Sequence, residues 1–274
     1  MEQTIKELLR ARGITAVAPI ALSHCTLTRP YLLERAGIAD GTAFMLAVPY
    51  YTTECDDPAR NISAYAVSRD YHLFFRTLFD ELLPVLHARF PAQRFAGFAD
   101  HSPIAEAEAA VKAGLGSFGC NHLFLTEEHS SFVFLGEIVT DAVLDAPPRE
   151  VRTCEDCGAC LRACPVGLAV HSCLSALTQK KGELSEDEAA TVLKNGSAWG
   201  CDRCQEACPV TKRARARGTL YSEIPFFRES AIPHLTAARV REMNDAEFAM
   251  RAYSWRGREV ILRNLEYFEQ GGKA

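Results

Sequence analysis

The sequence predicts an α+β protein: an N-terminal layer of mixed helices and strands, then a small cysteine-rich domain, then a short helical tail. Three observations carry this. Short apolar runs of strand character alternate irregularly with helical periodicities up to about residue 145. Eight of the eleven cysteines fall in residues 154–208. From about residue 221 the chain is polar with helical character. The expected domains are therefore 1–145, 146–220 and 221–274.

Residues 2–12 read as a short helix with Ile5, Leu8 and Leu9 on one side and Gly13 at its end. ITAVAPI (14–20) and AFMLAVPYY (43–51) read as buried strands, with a helical turn or two between them at 31–36. Apolar residues at 73, 74, 78, 82, 85 and 86 make a helical face over 71–88, which Pro84 is expected to kink or break. Residues 94–99 are a short strand running into Asp100-His101-Ser102-Pro103. Ser102 as N-cap, with Pro103 at the first helical position, predicts the start of a helix that stops at Gly114. A glycine-rich turn, GLGSFG, leads to strands at 122–126 and 132–139, and Asp145-Ala-Pro-Pro reads as the linker.

The cysteines carry the chemistry. CEDCGACLRACP, Cys154 to Pro165, is Cys-x₂-Cys-x₂-Cys-x₃-Cys-Pro, the bacterial ferredoxin run in which the fourth cysteine serves the other cluster. CDRCQEACP, Cys201 to Pro209, is the same pattern short of one cysteine, and Cys173 supplies it. Two 4Fe–4S clusters account for all eight. Cys154, Cys157, Cys160 and Cys208 would hold one; Cys164, Cys173, Cys201 and Cys204 would hold the other. Two-residue gaps let thiolates wrap the corners of a cube with backbone N–H groups turned to the sulfurs. Zinc prefers paired CxxC knuckles, and disulfides want a secretory signal that the N-terminus, MEQTIKELLRARG, does not offer. Cys25, Cys55 and Cys120 are left over.

Composition narrows the class further. With 48% hydrophobic and 24% charged residues, the chain resembles an ordinary soluble protein able to bury a core. A formal charge of −5 argues against a wholly basic nucleic-acid binder, although Lys212, Arg213, Arg215 and Arg217 form a local basic stretch. No apolar run approaches a membrane span, so a reducing cytoplasm without a membrane partner is expected.

Several stretches together resemble the epoxyqueuosine reductase family. They are Ile62-Ser63 with Tyr65-Ala66, Arg69-Asp70-Tyr71-His72, Asp100 with Pro103 and Glu106, Lys112 to Gly116, and Phe134-Leu135-Gly136-Glu137-Ile138. The likeness continues through the eight cysteines, Cys173-Leu174-Ser175, Lys181-Gly182, Gly200-Cys201-Asp202 and Leu262-Arg263-Asn264. The resemblance implies an iron–sulfur oxidoreductase related to reductive dehalogenases, with cobalamin held between the N-terminal layer and the cluster domain. Electrons from a low-potential donor of ferredoxin or flavodoxin type would pass through the clusters to cobalt. The reaction would reduce epoxyqueuosine in tRNA to queuosine. By residue, it implies Asp100 as proton donor and cofactor contact, Asn121, Ser175, Cys201 and Asp202 as cofactor contacts, and Lys181 as a residue facing tRNA.

The chain departs from the family pattern in places. Where the family usually shows Gly-Trp-Ile-Gly-Lys, this sequence has Gly116-Ser117-Phe118-Gly119-Cys120, and the C-terminal helical repeats of longer members are expected to be lacking. Two alternatives stay open at this point: the same machinery acting on another small substrate, or an electron-transfer or corrinoid-reducing protein. The N-terminal layer and Asp100 favour an enzyme over a carrier.

Overall fold

The computed structural model describes residues 1–169 and 173–271, which includes every predicted site residue and all but residues 272–274 of the predicted tail. The chain forms two compact units, Met1–Pro49 with Tyr71–Asp156, and Tyr50–Asp70 with Cys157–Ala274. A purely sequential division at residue 145 assigns residues 50–70 to the N-terminal part, whereas by their contacts they belong to the second unit.

The first unit mixes helices and strands. It opens with α1 (Glu2–Arg10), β1 (Ala16–Ala21), α2 (Tyr31–Ala36) and β2 (Thr42–Pro49). There follow α3 (Tyr71–Arg89), β3 (Phe95–Phe98), α4 (Glu106–Lys112), β4 (Ser117–Phe118), β5 (Phe124–Leu125), β6 (Val133–Thr140) and β7 (Arg152–Thr153). One sheet has the order β1-β2-β6-β3, every pair antiparallel, and all residues of β2 are buried, as a central apolar strand requires. Its register sets Met45 opposite Glu137, and Glu137 opposite Phe98.

Alternation along the strands sorts what packs on the sheet. Ala43, Met45 and Ala47 join Ala109, Ala110 and Val111 of α4 in one apolar cluster. Gly136, on the alternate parity, lies under α3: a Cβ there would stand 2.5 Å from a ring carbon of Phe75. The helix α3 is continuous through Pro84, so the proline does not break it. Buried Phe74, Phe75, Leu78 and Leu82 before the proline and Leu86 after it keep one apolar face along the whole length.

Two further expectations change. The helix predicted from Ser102 starts at Glu106, with Ala105 at its N-cap and no side-chain cap. Ser102 is buried and has other partners: its hydroxyl donates to Glu137 Oε1 and accepts the Ile104 N–H at 3.1 Å. Part of the predicted glycine-rich turn is strand β4, antiparallel to β5 and parallel to β7. The predicted linker is tied to its own unit, Ala21 N–H donating to Ala146 O at 3.0 Å and Arg149 N–H to Lys112 O at 2.7 Å.

The second unit is built from short helices. These are α5 (Ala159–Ala163), α6 (Leu174–Thr178), α7 (Glu186–Asn195), α8 (Arg203–Glu206) and α9 (Pro209–Arg217). The tail adds α10 (Ala237–Glu242), α11 (Asp245–Ala249) and α12 (Arg258–Gly271). Ser185 and Glu188 cap α7 reciprocally, and Leu174, Leu177, Leu184 and Val192 form a small core with Tyr267 and Phe268. Residues 61–63 run beside 198–199: Ala198 N–H donates to Asn61 O and Ser63 N–H to Trp199 O, both at 2.7 Å. This close run needs Gly200, which has φ +68° and where a Cβ would stand 2.6 Å from Ser63 Cβ. No helix among the described residues is long and apolar enough to cross a membrane.

Candidate functional site

In the second unit the cysteines sit at helix ends. Cys160 lies in α5 and Cys164 just after it; Cys173 is the N-cap of α6; Cys204 lies in α8; Cys208 is the N-cap of α9, with Pro209 following. The short helices α5 and α8 pack on one another, which brings the two cysteine runs together. Burial pushes the Cys201 thiol up to about 11, and the nearby Asp202, Cys204 and Cys173 add to the rise. That groups three of the four cysteines expected on the second cluster. Cys164 Sγ already accepts the Leu168 N–H at 3.2 Å, the kind of donor that stabilises a cluster thiolate. Among the described residues no three His, Cys, Asp or Glu side chains converge as on a single ion. A cubane instead spreads its thiolates over separate corners.

Cys154 and Cys120 belong to the first unit. The backbone pairing of β4 with β7 sets Ser117 opposite Arg152 and Phe118 opposite Thr153, and Cys154 N–H donates to Phe118 O at 3.2 Å. The two cysteines just beyond these strands therefore meet, Cys120 Sγ lying 3.3 Å from Cys154 Sγ. The Cys120 thiol also donates to Asp156 Oδ1 at 3.0 Å, and these two partners hold it up to about 12. Burial works to raise the Cys154 thiol, but the Asp156 N–H and Cys120 outweigh it and draw it below its usual value. Asn121 stands next in the same turn, its Oδ1 accepting the Leu123 N–H at 3.4 Å.

Asp100 follows β3 in a left-handed conformation, φ +64°, with its side chain 67% exposed. It does not cap α4. Its backbone N–H donates to Glu106 Oε1 at 3.1 Å, and its Oδ2 lies 3.4 Å from His72 Nε2. Behind this loop is a buried pair of carboxyls. Desolvation pushes Glu106 up to about 7, and burial with the neighbouring Glu106 charge pushes Glu137 well above the usual carboxylate range. Sequence reasoning carried both residues only as parts of matching stretches and gave them no role. The signal available was a charged residue inside the strand run FLGEIVT.

Ser175 and Lys181 line a cleft of about 760 Å³ with Cys173, Lys180, Glu188 and Arg256. The Ser175 hydroxyl accepts from Gln179 Nε2 at 3.0 Å, and Lys180 pairs with Glu188 at 2.8 Å. Arg256 stacks over the ring of Trp255, a residue 58% exposed, at 3.8 Å. Asp202 is different in kind. Its carboxylate is buried and accepts from Arg60 Nη1 and Ala64 N–H at 2.7 Å, Ser63 Oγ at 2.5 Å and Gln205 Nε2 at 2.9 Å. Both oxygens are filled by the protein itself. A smaller cavity of about 240 Å³ beside it is lined by Arg60, Asn61, Ser197, Cys201 and Arg203.

Residues 153–211 match the family model of the 4Fe-4S double cluster binding domain. An epoxyqueuosine reductase of Gloeobacter violaceus is 34% identical over 209 residues, covering 72% of this chain and 65% of the relative. The chain is a relative of the epoxyqueuosine reductases. The Bacillus subtilis epoxyqueuosine reductase is 32% identical over 206 residues, covering 72% of this chain and 52% of its own. The alignment thus spans between about half and two thirds of these two epoxyqueuosine reductases. The fold agrees with the solved epoxyqueuosine reductase of Streptococcus thermophilus, at a TM-score of 0.78 and 22% identity over 98% of this chain and 80% of that one. An epoxyqueuosine reductase solved with an epoxyqueuosine-modified tRNA-Tyr stem loop gives a TM-score of 0.77 and 23% identity, over 97% of this chain and 81% of that one.

Proposed function

We propose that the chain reduces the epoxide of epoxyqueuosine in tRNA, with two 4Fe–4S clusters and cobalamin as cofactors. The observation that carries this is the 34% identity over 209 residues to an epoxyqueuosine reductase. Cys154, Cys157, Cys160 and Cys208 would ligate one cluster, and Cys164, Cys173, Cys201 and Cys204 the other. The all-thiolate donor set and the grouping of Cys201 with Cys173 and Cys204 fit such clusters. A low-potential donor of ferredoxin or flavodoxin type, in the cytoplasm, would supply the electrons.

For cobalamin the fit is uneven. Ser175 offers a hydroxyl on an open cleft, whereas the Asp202 carboxylate is already filled, so a contact at 201–202 would come from the main chain. Asn121 retains its amide N–H₂ for a ligand while its oxygen closes the turn. When bound, cobalamin supplies a reduced cobalt centre able to open an epoxide. The part assigned to Asp100 is to deliver a proton from its carboxyl to the epoxide oxygen. Its exposed side chain can be reprotonated from water, and Glu106 fixes its main chain. Lys181, with Arg256 and the exposed Trp255 ring, offers positive charge and a stacking face suited to a nucleic-acid strand.

The test is turnover of epoxyqueuosine-tRNA with cobalamin and a strong chemical reductant. Asp100→Asn should keep its iron and lose a hundred- to ten-thousand-fold in rate, on the order expected for a missing proton donor. A variant as fast as wild type removes Asp100 from that role, and a wild type that leaves the epoxide intact removes the substrate.

A further inference from the structure

We propose that Cys120 is a reserve ligand for the iron corner served by Cys154, an inference that rests on the reading of Cys154 as a cluster ligand. The two sulfurs are 3.3 Å apart. Two thiolates on one tetrahedral metal, with metal–sulfur bonds of about 2.3 Å, stand about 3.7 Å apart, whereas ligands on different corners of a cube stand much further apart. The Cys120–Cys154 spacing therefore suits one iron atom reached by either sulfur.

Local backbone structure holds this spacing. The pairing of β4 with β7 fixes the register one residue before Cys154 and two before Cys120. The Cys154 N–H bond to Phe118 O locks one side. On the other, Gly119 N–H donates to Leu123 O and His122 N–H to Gly119 O, both at 2.9 Å, closing the turn that carries Cys120. Cys120 is exposed and directs its proton to Asp156, as a thiol outside the cluster should.

The exchange needs no oxidant. The bond from iron to Cys154 Sγ would break as the bond from iron to Cys120 Sγ formed. The Cys120 proton ends on the Cys154 sulfur, with Asp156 as the carboxylate beside both, and no electron changes hands. A position where the resembling family usually has lysine thus becomes, in this chain, a spare thiol. The expected benefit is retention of the cluster when Cys154 is oxidised or alkylated, the Cys120 proton then passing to the Asp156 carboxylate.

The experiment counts iron and sulfide in anaerobically reconstituted full-length protein, with electron paramagnetic resonance of the reduced clusters. Wild type, Cys120→Ala and Cys154→Ala should each hold about eight iron, while Cys157→Ala and the double variant Cys120→Ala/Cys154→Ala should hold about four. Iodoacetamide mapping gives an independent reading: Cys120 should be labelled in loaded wild type and protected in loaded Cys154→Ala. Cys154→Ala falling to the level of Cys157→Ala, or keeping Cys120 open to label, overturns the proposal. Wild type holding only about four iron overturns instead the two-cluster reading beneath it.

Discussion

Asp202 in the second unit and Glu137 in the first are both buried carboxyl residues, at 5% and 0% exposure, yet their surroundings differ. Asp202 meets a guanidinium, a hydroxyl, an amide side chain and a backbone N–H. Glu137 receives the Ser102 hydroxyl on one oxygen and has the Glu106 carboxyl as its other hydrogen-bonding neighbour. Burial alone does not decide what a carboxyl becomes; the number of donors converging on it does. The saturated one ties residues 60–64 to 202–206 and stays put. The other, with one donor and a second carboxyl beside it, is pushed well above the usual carboxylate range and stands behind the Asp100 loop.

The largest effect should come from breaking the saturated site. Asp202→Ala strips Arg60, whose side chain is only 13% exposed, of its main partner, at a cost of about 3–5 kcal/mol. Urea unfolding of the iron-loaded protein measures it, and a loss below about 1 kcal/mol would mean that Glu206 and the carbonyls around Arg60 suffice.

The middle effect is one of pH. The folded value of Glu106, about 7, lies above its ordinary 4.5, so the pair favours the folded state only while protonated. That contribution is complete below about 4.5 and lost as the pH rises through about 7. Glu106→Gln keeps an acceptor for the Asp100 N–H while removing one charge. Between pH 5 and 8 wild type should lose on the order of 2 kcal/mol relative to this variant. Melting curves that run parallel across the range would contradict a Glu106 carboxyl raised to about 7 in the folded state. The surrounding groups, Asp100, Arg29 and Ser102, are the same in both proteins.

The smallest effect sharpens the contrast. Ser63→Ala leaves three donors on Asp202 and should cost about 1 kcal/mol, with no new pH dependence. A change in the pH profile of stability would show that Asp202 is as dependent on a single donor as Glu137 is on Ser102.

Local features were legible in the sequence where one stretch decided them. The cysteine spacings, the face of α3 and the buried run of β2 are of that kind. What failed was decided by residues far away along the chain. Ser102 looks like an N-cap from its neighbours, but Glu137, 35 residues on, takes its hydroxyl. Asp202 matched a family cofactor position, and only the fold reveals that Ser63, Ala64 and Arg60 fill its carboxylate. Cys120 read as a leftover thiol because nothing in its own stretch announces a strand pairing with residues 152–153.

The interruption of the second unit by the first has a consequence for biogenesis. Residues 50–70 leave the ribosome early, but the partners of Asn61 and Ser63 at Ala198, Trp199 and Leu235 emerge more than a hundred residues later. Residues 1–49 and 71–156 can close their sheet in the meantime, holding the intervening segment as a loop awaiting its mate. Contacts of such long sequence separation are slow to form and leave surface uncovered while they wait. Translation rate and chaperone supply, rather than metal supply alone, should therefore set how much of the newly made chain reaches an iron-binding state.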